Sequence, residues 1–204
     1  APTQPTDFFE NGLPKLQIMH APFMPTLALF ANNILAVNKV ADTKWLINPK
    51  MFSLKNGLFA ALSNLYLLPI LKFYGKFLGF RADHLTLPLT KTIYREFREA
   101  LPEYFDFVSK GKFRNSQDVR GISNWAIADY ARATNQFEPM NSFKFGSLVN
   151  LGKDVDFEKL FKSKYKVLCL EDGDFVAEED FDDIVNKMNT AFTNKLPNKS
   201  GFEK

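Results

Sequence analysis

The stretch KYKVLCLEDGDFVAEEDFDDIVNKMNTAFTNK, residues 164–195, decides the class of fold. Its first part, 164–170, is a short apolar run typical of a buried strand. The acidic loop 171–174 follows, and 177–195 then carries apolar residues at helical spacing. Strand, loop and helix in this order predict an α/β protein, in which ligands bind beyond the carboxyl ends of strands. Glu171 and Asp172 therefore occupy a candidate site.

Composition excludes several classes of protein. Of 204 residues, 46% are hydrophobic and 24% charged, which is a globular balance and argues against a disordered, collagen-like or coiled-coil chain. One cysteine and two histidines leave no disulfide framework and argue against a structural zinc site of the Cys/His kind. The net charge of +3 comes without a run of Lys or Arg, so we expect no nucleic-acid partner.

Working outward from the C-terminal segment, the pattern predicts further elements. A strand is expected at 15–19, and 27–40 fits either a helix or a buried strand. A helix capped by Thr90 is predicted up to Leu101, before Pro102. A second helix is predicted over 116–134, with Ser116 as its N-cap and Asp118 in its first turn. Its inward face would consist of Val119, Ile122, Ala126, Ile127 and Tyr130.

Residues 55–80 form the most apolar block of the chain. Residues 56–71 carry no charge, and this run is too short to span a membrane as a helix. Pro69 is expected to break or kink any helix that forms there. Two interpretations stay open: a buried helix pair, or a surface that meets a membrane or another domain, with Lys72 and Lys76 at its edge.

Three places carry side chains suited to chemistry. His84 lies on a connection between the apolar block and the helix at 90–101, where a histidine is free to act on a ligand. Arg114 stands before the predicted helix start, so that its guanidinium and the free N–H groups could cradle a phosphate, with Asp118 holding it; a simple capping ion pair is the alternative. Glu171 and Asp172 are either a solvated acidic loop or a site for a divalent cation.

Several segments, taken in order, resemble the Stealth family of hexose-1-phosphate transferases. They are DFF and NGLP at 7–14, His84 through the helix to FR at 113–114 and DV at 118–119, VLCLED at 167–172, and LPNKSGFE at 196–203. Two positions depart from the family pattern: Glu171 replaces the usual Asn, and Leu-Thr-Leu separates His84 from Pro88.

The resemblance implies an α/β, helix-rich chain that forms part of a Rossmann-like nucleotide-sugar transferase fold whose N-terminal strands lie upstream. Residues 1–204 would be one domain, the C-terminal half of a larger catalytic unit. Its segments would be an irregular or strand part at 1–54, the apolar helical block at 55–80, a third conserved region at 84–134 and a fourth at 164–204.

The same resemblance implies an activity and residue roles. Hexose-1-phosphate would pass from a nucleotide-sugar donor to a sugar hydroxyl of an acceptor glycan in capsule or surface polysaccharide synthesis. Arg114 would clamp phosphate oxygens, His84 would act as base or phosphate contact, Asp118 would fix Arg114, Asp172 would support Mg²⁺ and Glu171 would contact substrate.

The implied setting is cytoplasmic, with a peripheral contact at the inner membrane face, and the N-terminal half of the same enzyme is the expected partner. We expect the 204 residues alone to show no turnover, since the upstream acidic strand of the family is absent from them. The rival hypothesis is a non-catalytic module that binds an acceptor glycan or a membrane surface.

Overall fold

The computed structural model describes residues 3–20, 28–42, 47–81, 84–113, 117–152, 154–173, 176–198 and 201. The chain forms two compact units, Ala1–Ser142 and Phe143–Lys204, each with its own hydrophobic core. The sequence predicted one domain over 1–204, as half of a larger catalytic unit. The described elements are mixed α and β and rich in helix, as predicted, while the Rossmann-like fold of a larger unit stays a prediction.

The first unit contains six helices and a small sheet among its described residues. The helices are α1 (Pro5–Phe8), α2 (Ala28–Val40), α3 (Leu58–Tyr74), α4 (Lys91–Ala100), α5 (Pro102–Lys110) and α6 (Trp125–Ala133), with 3₁₀ turns at Pro49–Phe52 and Leu54–Asn56. The strands are β1 (Phe9–Glu10), β2 (Leu13–Leu16) and β3 (Glu138–Pro139). Strand β2 lies between the other two, antiparallel to β1 and parallel to β3.

Two buried asparagines hydrogen-bond to the backbone that follows strand β2. The strand was predicted at 15–19 but stops at Leu16, because the following backbone bonds to side chains. Ile18 N–H donates to Asn56 Oδ1 at 3.2 Å, and His20 N–H donates to Asn64 Oδ1 at 2.8 Å. Asn64 Nδ2 donates in turn to the carbonyls of Ile18 and Met51, both at 2.9 Å. Both asparagines are fully buried, so these bonds satisfy backbone groups that water cannot reach.

Helix α3 is one continuous helix, whereas the sequence favoured a break or kink at Pro69 and left a buried helix pair open. Pro69 is exposed inside α3, and its missing N–H removes one backbone hydrogen bond from the helix. Leu67 and Leu71 are buried on the other side and hold the helix against the core. Gly75 ends the helix in the left-handed conformation that favours glycine.

The α2 and α4 segments agree with the sequence patterns. Residues 28–40 adopt the helical alternative. Thr90 caps α4 by accepting from Ile93 N–H at 3.2 Å, and Ile93, Phe97 and Leu101 are buried as predicted. Pro102 starts the next helix, a position where its missing N–H costs nothing.

The helix predicted over 116–134 begins only at Trp125, so Asp118 is not in its first turn and Val119 is exposed. Residues 117–124 are a loop because their backbone bonds to side chains: Asn32 Nδ2 donates to the carbonyls of Asp118 and Gly121 at 2.9 and 3.0 Å. Ser116 lies outside the described residues. Ile122, Ala126 and Ile127 are buried as predicted, and Tyr130 is half-buried.

The second unit has two parallel strands and three helical segments among its described residues. They are α7 (Ser142–Phe145), which begins at the last residue of the first unit, α8 (Phe157–Phe161) and α9 (Glu178–Lys195), with strands β4 (Gly146–Asn150) and β5 (Val167–Glu171). The predicted strand and C-terminal helix are therefore confirmed, although β5 is half-buried rather than buried. Phe161 and Phe192 stack with ring centroids 4.4 Å apart and join α8 to α9.

Within the described part of the chain, no helix combines the length and the apolar character that crossing a membrane requires.

Asp129 and Arg132 of α6 form a buried ion pair within the first unit. Arg132 Nη1 donates to Asp129 Oδ1 at 2.9 Å, and Arg132 Nε donates to the carbonyl of Gln17 at 2.8 Å. Burial raises the pKa of Asp129 to about 6, against the lowering effect of Arg132.

Replacing Asn64 with Ala should lower the free energy of unfolding by roughly 3 kcal/mol or more. The change leaves the His20 N–H and the Ile18 carbonyl without this side-chain partner and leaves the Met51 carbonyl with the longer bond from Asn56 Nδ2 at 3.5 Å. Each buried group left unbonded costs ~1–3 kcal/mol. The measurement is urea unfolding. Ser63→Ala, one residue earlier on α3, is the control and should change stability by less than ~0.5 kcal/mol. Equal losses for the two variants would contradict this role.

The pKa of Asp129 makes stability depend on pH. Its folded value of about 6 lies above the reference value of 3.8, so the folded state binds more protons between these values. Protonation of Asp129 therefore stabilises the folded state at low pH, and this stabilisation is lost as pH rises through 6. Lowering pH from 7 to 5 should raise the free energy of unfolding of the parent by about 1 kcal/mol relative to Asp129→Asn. Parallel pH profiles of the two proteins would contradict it.

Candidate active site

His84 lies on a connection, as the sequence predicted, and the structure shows that it is exposed. Leu87 and Leu89 pack against the first core and anchor this connection, which leads into α4. The His84 ring lies 6.1 Å from the ring of Trp125, at a tilt of 43°. Trp125 is the first residue of α6, so His84 is presented to solvent beside the start of that helix.

The loop 117–124 precedes α6 and is held by two asparagines of α2. Asn33 Nδ2 donates to Ser123 Oγ at 2.9 Å, and Ser123 N–H donates to Asn33 Oδ1 at 3.0 Å. Asn32 supports the loop through the carbonyls of Asp118 and Gly121. Because Asn32 and Asn33 are buried, their side chains have few alternative positions, and the loop is fixed before any ligand binds.

Asp118 fixes a guanidinium on this loop. Arg120 Nε donates to Asp118 Oδ1 at 2.9 Å, and Arg120 Nη2 donates to Asp118 Oδ2 at 2.7 Å. The guanidinium also lies 4.5 Å from the centre of the Phe107 ring. Hydrogen bonds from the Arg120 side chain and from its backbone N–H, together with the Arg120 charge, lower the pKa of the Asp118 carboxyl to about 2. Arg120 is thus a cation in a preset position, half exposed to solvent.

Arg114, the predicted phosphate clamp, lies outside the described residues. The described partner of the Asp118 carboxylate is Arg120, so its predicted pairing with Arg114 stays a prediction. Arg114 precedes the loop 117–124 by three residues.

Glu171 and Asp172 lie at the carboxyl end of β5, as the strand pattern predicted. Glu171 is the last residue of the strand and pairs in register with Asn150 of β4, and its carbonyl accepts from Leu151 N–H at 2.9 Å. Glu171 is half-buried, whereas Asp172 is exposed. Asp172 borders an open cavity of about 540 Å³ whose other lining residues are Gly173, Val176, Glu178, Phe181 and Asp182.

The described residues contain no group of three or more His, Cys, Asp or Glu side chains that could hold a metal ion. Mg²⁺ commonly binds through one or two carboxylates together with substrate phosphates and water. Asp172 can supply one such carboxylate, and the cavity beside it leaves room for a ligand.

Sequence reasoning missed three features of this site. Arg120 was placed on a helix, although Asp118 with Gly121 three residues later is a turn signal. Trp125 was not linked to His84, because that contact joins residues 41 positions apart. The pair Asn32–Asn33 had no assigned role, although adjacent asparagines inside an apolar helix need hydrogen-bond partners when they are buried.

Known proteins similar to this chain are polysaccharide phosphotransferases. The capsular polysaccharide phosphotransferase WcwK of Streptococcus pneumoniae is 32% identical over 208 residues, which cover 98% of this chain and 59% of that protein. The exopolysaccharide phosphotransferase cps2G of Lactiplantibacillus plantarum is 28% identical over 208 residues, with the same coverage. No family model matches the chain.

These relatives confirm the resemblance found in the motifs. The chain is a relative of bacterial capsular and exopolysaccharide phosphotransferases along nearly its whole length. It spans 59% of the length of the curated relatives it matches.

Replacing Arg120 with Ala should return the pKa of Asp118 from about 2 toward its reference value of 3.8, since Arg120 supplies the side-chain hydrogen bonds and the nearby positive charge. Carboxyl chemical shifts followed by NMR during an acid titration measure this change. Arg98→Ala, an exposed arginine on α4, is the control and should leave the Asp118 titration unchanged. An Asp118 that still titrates near 2 without Arg120 would contradict the pairing.

Proposed function

We propose that this chain takes part in transferring hexose-1-phosphate from a nucleotide-sugar to a sugar hydroxyl of an acceptor glycan, in capsule or surface polysaccharide synthesis. The observation that carries the proposal is similarity over 98% of the chain to a protein named a capsular polysaccharide phosphotransferase. In this proposal the chain supplies the C-terminal part of the catalytic unit, and the N-terminal half of the same enzyme supplies the rest.

Such a transfer needs positive charge at the phosphoryl group. The bond between the two phosphates of the donor breaks, the acceptor oxygen bonds to the sugar-linked phosphorus, and nucleoside monophosphate leaves. Negative charge spreads over the phosphoryl oxygens in the transition state, so fixed cations accelerate the reaction. We assign this role to Arg114, because a guanidinium can bind two phosphate oxygens at once.

The attacking hydroxyl must lose its proton, and His84 is the group we assign to accept it. Its exposure beside Trp125 leaves the imidazole open to a substrate. Imidazole is the side chain best suited to proton transfer near neutral pH. The flat Trp125 ring next to it could stack on a sugar or base.

Asp118 acts as a positioning residue in this proposal. It holds Arg120 with two side-chain hydrogen bonds, and so it fixes the shape of the loop that begins three residues after Arg114. The support from Asn32 and Asn33 serves the same purpose, since a loop that is already ordered loses less entropy when substrate binds.

Asp172 would hold Mg²⁺, and Glu171 would contact substrate. When bound, Mg²⁺ would offset negative charge on the phosphates. Glu171 is an anion at a position where the Stealth family usually has an amide, and it would strengthen the hold on a cation. We place the enzyme in the cytoplasm, in peripheral contact with the inner face of the membrane.

The test is a chimera in which this chain replaces the matching segment of the pneumococcal WcwK. Incubated with nucleotide-sugar, Mg²⁺ and acceptor, it should release nucleoside monophosphate and form a phosphodiester. His84→Ala should lower kcat/KM about a hundredfold or more, the usual loss for a general base. The 204-residue chain alone should show no turnover.

Arg98→Ala is the matched control, because Arg98 is exposed on α4 and has no role in the proposal. Its kcat/KM should stay within about twofold of the parent chimera. Release of nucleoside diphosphate would contradict the proposal, since it means transfer of the sugar without its phosphate. Equal activity of His84→Ala and Arg98→Ala would remove His84 from the mechanism and favour the non-catalytic glycan-binding module.

A further inference from the structure

Helix α3 exposes a continuous line of large apolar side chains. Phe59, Tyr66 and Phe73 are 65%, 80% and 86% exposed. Their spacing of seven residues places them nearly above one another along the helix. Three exposed leucines flank this line: Leu58, Leu62 and Leu65. We call these six residues the exposed face of α3.

The exposed face of α3 cannot turn inward, because the opposite side of the helix is fixed. Ala60, Ala61 and Leu67 are buried there, and Asn64 makes its hydrogen bonds to the backbone of Ile18, His20 and Met51. Rotating the helix would break these bonds inside the core. The buried side of α3 thus holds two leucines besides its small residues, while the opposite side leaves large apolar residues in solvent where an ordinary surface helix carries polar ones.

The exposed face is larger than a soluble monomer usually shows. An aromatic side chain has roughly 150–250 Å² of surface, so the three exposed rings alone contribute a few hundred Å². The largest apolar patch on a typical monomer is roughly 300–600 Å², and patches above that size mark sites of interaction. The three leucines bring the face of α3 to that limit or beyond it.

The charged residues in the chain segment that contains α3 are all basic. Residues 43–82 hold six Lys or Arg and no Asp or Glu, although Lys50 and Lys55 form ion pairs with Glu138 and Glu10 from elsewhere in the chain. Lys72 and Lys76 are exposed at the C-terminal end of the helix, beside Phe73. The exposed face itself carries no charged side chain, and the Tyr66 hydroxyl is its one polar side-chain group. An apolar surface bordered by cations complements a layer that is apolar inside and negatively charged at its surface.

The length of α3 sets its orientation to such a layer. Seventeen residues at 1.5 Å each give a helix of about 25 Å, short of the ~30 Å hydrocarbon thickness of a bilayer. Because one side of α3 is packed against the core of the first unit, the helix can insert only its exposed face into a membrane. It would lie in the plane of the membrane surface, with the lysines directed toward headgroups.

We propose that the exposed face of α3 docks this chain on the surface of an anionic phospholipid membrane. A protein partner would find little to hydrogen-bond on this face, whereas protein interfaces carry about one hydrogen bond per 100–200 Å². A second copy would bring the same lysines and no acidic group to meet them. The proposal rests on the peripheral membrane contact included in the proposed function and assigns it to α3, while it uses none of the residues assigned to the transfer reaction.

The test is co-flotation of the 204-residue chain with phosphatidylcholine vesicles, with and without phosphatidylglycerol. The chain should float with the anionic vesicles and bind the neutral ones at least tenfold more weakly. Phe73→Glu should weaken binding to anionic vesicles about tenfold or more. Replacing Lys72 and Lys76 by Gln should remove most of the preference for phosphatidylglycerol, since each basic residue near such a surface adds measurable attraction.

Leu196→Glu is the matched control, because Leu196 is 68% exposed in the second unit, away from α3 in the chain. It should bind like the parent. Absence of binding, or equal weakening by Leu196→Glu and Phe73→Glu, would overturn the proposal. A dimer in sedimentation that Phe73→Glu dissociates would overturn it in favour of a second copy.

The WcwK chimera gives a second test. If the rest of the polypeptide covered the exposed face of α3, a substitution on that face would not change where the chimera is found in the cell. Phe73→Glu should shift the chimera from the membrane fraction to the soluble fraction of cells. No shift would mean that another part of the polypeptide covers α3, and would overturn membrane docking. Nucleoside monophosphate release is measured separately, so failure of docking and failure of the transfer reaction are distinguishable.

Discussion

Residues 17–20 cross the first core with much of their backbone bonded to side chains, and one antiparallel bridge joins His20 to Phe80. Asn56 and Asn64 supply most of these bonds, and Arg132 binds the carbonyl of Gln17. Unbonded, these buried groups would each cost ~1–3 kcal/mol, which is large beside the net stability of a domain. The bonds also decide which side of α3 faces inward, because Asn64 can reach the segment from one rotational position of the helix only.

The same device recurs at the candidate active site. Asn32 and Asn33 project from α2 and bind the backbone and Ser123 side chain of the loop before α6, as Asn64 binds residues 18–20. In both places a buried amide joins a helix to an irregular segment. This arrangement allows loops with the polar groups that chemistry requires to lie against an apolar core, and it gives Asp118 and Arg120 a defined position.

The candidate active site and the exposed face of α3 have opposite physical character. The segment from His84 to Trp125 presents an imidazole, an aromatic ring and a held guanidinium, a combination suited to sugars and phosphates. The exposed face of α3 presents hydrocarbon and aromatic rings without a charged side chain that could bind a phosphate. In the two proposals the first surface serves the transfer reaction and the second serves membrane docking, and each can be tested without the other.

The sequence by itself determined the elements whose apolar spacing is regular. The α4 and α9 helices, the strand before Glu171 and the position of His84 on a connection followed from periodicity, caps and turns. Only the tertiary structure decided where β2 ends, where α6 begins and which side of α3 is buried. Those outcomes depend on hydrogen bonds between residues about 40 to 90 positions apart, and local spacing carries no information about such partners.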